Sequence, residues 1–138
     1  MTRMAVTTEK ESAAQEGGNR TMGRKEIVPY ALYRVHGFIS PYLAAGTGFS
    51  SADLELLFTA LEQMFDHDHS AGRSEMGTCK LFVFEHESPL GNCPARRLFE
   101  LIQVTARDAT RPARMFSEYA VIVNREGLPA GVTMHERV

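Results

Sequence analysis

Hydrophobic and polar positions alternate strictly from Tyr30 to Ile39. One face reads Tyr30, Leu32, Arg34, His36, Phe38 and the other Ala31, Tyr33, Val35, Gly37, Ile39. The pattern predicts a long strand from about Ile27 to Ile39, with the second face apolar enough to be a core face. Pro29 belongs on an edge or at a bulge because it cannot donate to a ladder, and Pro41 closes the strand. The period then changes. Leu54, Leu57, Phe58, Leu61, Met64 and Phe65 fall on one stripe at helical spacing, which predicts a helix from Asp53 to Phe65. Ser50 is placed to cap it, Asp53 follows three residues on, and Phe49 can pack on Leu54 as a hydrophobic staple.

Further along, Lys80 to Glu87 reads as a strand rich in aromatic and branched residues. Pro94 starts a second short helix carrying Leu98, Leu101 and Ile102, with Phe99 beside that stripe. Tyr119 to Val123 is a strand ended by the turn signal Asn124-Arg125-Glu126-Gly127. At the other end, Thr2 to Thr8 alternates as a short strand, and Glu9 to Gly23 (rich in Glu, Ala, Gly and Asn) reads as a mobile loop. These elements predict an α+β fold with helices on one face of an antiparallel sheet. That class is compatible with a ferredoxin-like or RNA-recognition-motif core. At 138 residues the chain fits one domain.

Composition is ordinary for a soluble globular protein, with 43% hydrophobic and 23% charged residues. No apolar run approaches the about 20 residues needed to cross a bilayer, and 1–23 has no apolar core of a secretory signal. Cys79 and Cys93 fit a reducing compartment and show no pairing or zinc-knuckle spacing. A cytoplasmic protein without a cofactor is expected. The net charge of −2 argues weakly against a general nucleic-acid binder. Its distribution answers part of that objection. Acidic residues gather at Asp53, Glu55, Glu62, Asp66 and Asp68, whereas basic ones gather at Arg20, Arg24 and Lys25 and again from Arg96 to Arg114. A binding groove needs a local basic field, not a basic protein.

Four features are candidates for chemistry. Arg24 and Lys25 follow Gly23, whose backbone can approach a phosphate closely, and they lead into the strand bearing Arg34 and His36. Aromatic rings interleaved with cations suit stacking of bases and holding of phosphates. By themselves these residues equally describe a solvated loop and ordinary surface charges. Ser70-Ala71-Gly72-Arg73 is a small-residue loop ending in a cation, as in phosphate-binding turns, although most such loops merely connect elements. His67-Asp68-His69 offers metal-ligating side chains but no third ligand at a diagnostic spacing. Cys93, before a helix start, has no accompanying base motif.

Four segments carry a family resemblance: GRKEIVPYALYRVHGFIS, GFSSADLELLFTALEQMFDHDHSAGRSEM, KLFVFEHESPLGNCPARRLFELI and RPARMFSEYAVIVNREGLPAGV. Together they resemble the backbone subunit of the type I-C CRISPR Cascade complex (the Cas-seven family) over nearly the whole chain. The resemblance implies a partial, modified RNA-recognition-motif palm and a non-enzymatic structural role. It implies binding of the CRISPR guide RNA, with Arg20, Arg24, Lys25, Arg34 and Arg73 as RNA-contacting residues. The implied partners are copies of the chain, other Cascade subunits, and target DNA reached through the guide. Members are about twice as long, and this chain is similar to their second half, so a partner segment is expected to complete the sheet unless the chain is a truncated, non-functional fragment. Where members usually carry a second arginine, this chain has His69. A small metal-dependent nuclease or hydrolase using His67 and His69 is the competing expectation.

Overall fold

The computed structural model describes residues 2–4, 20–22, 28–69 and 75–138. The chain divides into two compact units, Met1–Ala31 and Leu32–Val138. In the first, β1 (Thr2–Met4) pairs antiparallel with β2 (Arg20–Met22), Arg3 standing opposite Thr21. The strand expected at Thr2 is therefore present in its first part. Its partner lies inside the stretch expected to be loop; residues 5–19 and 23–27 fall outside the described residues.

The second unit runs α1 (Pro41–Thr47), α2 (Ser51–Gln63), β3 (Phe82–His86), α3 (Ala95–Glu100), β4 (Ile102–Ala106), a 3-10 turn (Phe116–Glu118), β5 (Tyr119–Val123) and β6 (Val132–Glu136). Antiparallel pairing joins β3 to β6 and β4 to β5. The fold is α+β with antiparallel two-stranded sheets and a few helices, consistent with a partial ferredoxin-like core.

Local chemistry accounts for the helix ends. Ser40 accepts the Leu43 N–H and Pro41 occupies the first turn of α1, where a missing N–H costs nothing. Gly48, with φ of 73°, closes α1 in the left-handed conformation that glycine adopts most readily. Pro41 thus opens a helix as well as ending the extended segment before it. At α2, Ser50 and Asp53 form a reciprocal capping box, as their spacing predicts.

The buried side chains among the described residues are Phe58 of α2, Leu98 of α3, Ile102 of β4 and Val132 and Met134 of β6. On β6 the alternate residues Val132 and Met134 point inward while Thr133 and His135 face out, the period of a half-buried strand. Arg137, just past β6, ties that strand to α2. Its guanidinium lies over the Phe58 ring at 5.0 Å, 2.9 Å from Glu55, and also donates to Glu62. Glu55, Phe58 and Glu62 recur at helical spacing and so share one face of α2.

One expectation fails. The segment 32–39 makes no strand ladder among the described residues. Arg34, His36 and Phe38 settle against α3 and the start of β4, and among the described residues no strand pairs with the backbone of the segment. Among the described residues, no helix is long and apolar enough to cross a membrane.

Candidate nucleic-acid interface

Three alternate residues of the 32–39 segment converge on the end of α3. Arg34 Nη2 donates to the Phe99 carbonyl at 2.6 Å, and Nη1 donates to the Ile102 carbonyl at 2.9 Å. The Phe99 carbonyl lies in the last turn of α3 and the Ile102 carbonyl opens β4, so the guanidinium fork spans the junction between helix and strand and serves an acceptor on each. Two residues on, the His36 ring stacks on Phe99 with centroids 3.8 Å apart and planes 5° from parallel. Two further on, Phe38 meets the same ring edge-on at 5.8 Å and 66°. Both arrangements are favoured by the aromatic quadrupole.

The period-2 reading therefore groups Arg34, His36 and Phe38 correctly, but the faces are reversed. The face expected to be core is open to solvent, Tyr33 being 78% and Val35 86% exposed. The cationic and aromatic face is the one that docks. It docks because Arg34 finds carbonyl acceptors and His36 finds a ring, whereas among the described residues no strand covers Tyr33 and Val35. Sequence reasoning placed Phe99 only beside the helical stripe and gave it no function. Nothing local marks it, because its partners lie more than 60 positions away in the chain.

Of the other expected contact residues, Arg20 lies on β2. Arg24, Lys25 and Arg73 lie outside the described residues. His67 and His69 are exposed. His69 Nε2 sits 2.9 Å from the Asp66 carbonyl oxygen, which can only accept, so that nitrogen carries the proton. Among the described residues, no group of three or more His, Cys, Asp or Glu side chains could hold a metal ion. Cys79 and Cys93 are free thiols.

The family model described as CRISPR-associated protein Cas7 matches residues 1–124. The chain belongs to the Cas7 family. No curated protein matches it. The matched span takes in the first unit and the second as far as the end of β5, including the Arg34–Phe99 contact.

A second cationic region of this Cas7-family chain is the loop between β4 and β5, where Arg107 and Arg111 are exposed but engaged by partners within the loop and its flanking residues. Arg107 Nε donates to the Ser117 and Tyr119 carbonyls at 3.1 and 3.2 Å. Arg111 lies 2.7 Å from Glu118 and 3.2 Å from Asp108. The Arg114 backbone N–H, assisted by the nearby Arg111 charge, holds the Glu118 carboxyl below the usual glutamate value. Asp108 is held low by the Thr110 hydroxyl and backbone N–H, with a smaller contribution from Arg111. Charge that the sequence presents as a basic cluster is in this loop partly neutralised by its own carboxylates.

Proposed function

We propose that this chain is a non-enzymatic, guide-RNA-binding backbone subunit of a Cascade-type CRISPR complex, of the type I-C kind. The observation that carries the reading is the match to CRISPR-associated protein Cas7 over residues 1–124. In this reading the chain holds the phosphate backbone of the guide through Arg20, Arg24, Lys25 and Arg73. Copies of the chain and other Cascade subunits assemble along the same RNA in the cytoplasm, and target DNA is read by pairing with the guide. Arg34 contributes by fixing the segment that bears His36 and Phe38, since both its terminal nitrogens already donate to carbonyls. Phosphate contacts and assembly surfaces require no acid–base machinery.

Co-expression with a CRISPR guide RNA, followed by native mass spectrometry of the purified protein, tests this. The expected result is a set of species in which protein copies increase with guide length. Protein free of RNA at low salt, or divalent-metal-dependent RNA cleavage that His67→Ala with His69→Ala abolishes, would overturn it.

A further inference from the structure

The His36 and Phe38 rings are fixed in place yet open to solvent, and phosphate binding gives neither of them a role. We propose that these two rings, propped on Phe99, form a platform on which bases of single-stranded RNA stack. The inference rests on the RNA-binding reading above and deepens it: cations hold the backbone of the strand, and this platform takes its bases.

Phe99 belongs to α3 and is half-buried, so the fold sets its position. His36 lies flat against it and Phe38 meets its edge, yet Phe38 remains 75% exposed and His36 is exposed. A ring already held on one side loses little further freedom when a base lands on the other, which is the advantage of preorganisation. Arg34 pins the backbone two residues before His36, through two carbonyls of the same region as Phe99. Every base has a π-face, so such a platform is tolerant of sequence, as a guide-binding protein requires.

Charge favours RNA as the occupant. Between Glu26 and Asp53 the sequence contains no aspartate or glutamate, although the chain holds 17 acidic residues. Arg34 and His36 lie within that stretch, and Glu100 of α3 pairs with Arg96 at 3.7 Å. A polyanion approaching the segment meets no carboxylate from it. An extended polypeptide laid along the segment would need no such clearing of negative charge.

The chain has no tryptophan, so Phe38→Trp supplies a single fluorescent reporter. Titration with oligouridylate is expected to quench it. Phe38→Leu, which keeps apolar bulk against Phe99, is expected to bind about 5- to 150-fold more weakly with an unchanged salt slope, and Phe38→Tyr to bind as the parent does. An oligomer of equal charge carrying abasic sites should bind parent and Phe38→Leu alike. Circular dichroism checks the fold, and the quenching and abasic comparisons stand even if the leucine variant is unstable. Equal RNA affinity of parent and Phe38→Leu, or an unquenched tryptophan, overturns the platform and leaves the RNA-binding reading intact. Absence of RNA binding by the parent overturns both. Lost self-association in Phe38→Leu with RNA affinity unchanged assigns the surface to a protein partner and also overturns the proposal.

Discussion

At Ser50 the hydroxyl accepts the Asp53 N–H, and the Asp53 carboxylate takes hydrogen bonds from the Ser50 hydroxyl and backbone N–H at 2.7 and 2.8 Å. Those bonds, the hydroxyl's first, hold the Asp53 carboxyl below the usual aspartate value. Ser50→Ala is expected to cost about 1 kcal/mol in urea unfolding. For Asp53 the sign follows from linkage. Its lowered value adds stability that is present above the ordinary aspartate range, near pH 4, and is lost as pH falls through the lowered value. Parent and Asp53→Asn should therefore differ at pH 6 and converge at low pH; a difference that persists under acid would refute this account. Burial sets a second contrast. Leu98, 2% exposed, should cost about 2–5 kcal/mol when replaced by alanine, whereas the exposed Val35 should tolerate the same change almost freely. The cap was legible in the sequence because both partners sit within one turn. The Arg34 contacts were not, because their carbonyls lie 65 and 68 positions along the chain.

Among the elements, α2 was legible from its helical stripe, β3 from its aromatic and branched residues, and β5 from a short apolar run ended by a turn signal. β4 was concealed: Ile102 shares the helical stripe of Leu98 and Leu101, and after it the strand's residues are all exposed, so no alternation marks it. β6 does alternate, but its pairing with β3 joins positions such as Glu85 and Thr133, far apart in sequence. The segment 32–39 shows the opposite case, a strand pattern without a ladder, because a strand requires a neighbour as well as an alternation. Its order depends on α3. Stacking at 3.8 Å should shift the His36 ring protons upfield by the Phe99 ring current. Arg34→Ala should move those resonances toward free-histidine values while leaving β4 and β5 signals in place. Unmoved His36 resonances would show that Arg34 does not position the segment. The link from β6 to α2 offers a second test. Arg137→Ala should lower the urea midpoint more than Arg96→Ala, because Arg137 combines two carboxylates with the Phe58 ring while the Arg96–Glu100 pair is open to solvent.

In the molecule as a whole, family membership was legible from the residues shared across nearly the full length, whereas the residues proposed to contact RNA were legible only as charges. A net charge of −2 gives little general attraction to RNA, so the proposed affinity has to come from a local basic field. In the proposed reading the arginines of the β4–β5 loop that pair internally contribute little, and the weight is assigned to Arg24, Lys25 and Arg73. Bound RNA should also stabilise the fold, by about 2.7 kcal/mol at a hundredfold excess over the dissociation constant. The most direct measurement is the dependence of RNA affinity on salt, for the parent and for a variant with Arg24, Lys25 and Arg73 all changed to alanine. The account predicts that log affinity falls linearly with log salt, by about 0.7 per phosphate contacted. The triple variant should then have a slope shallower by about 2, with little change between RNA sequences. A flat salt dependence in the parent, or an identical slope in the variant, would contradict it.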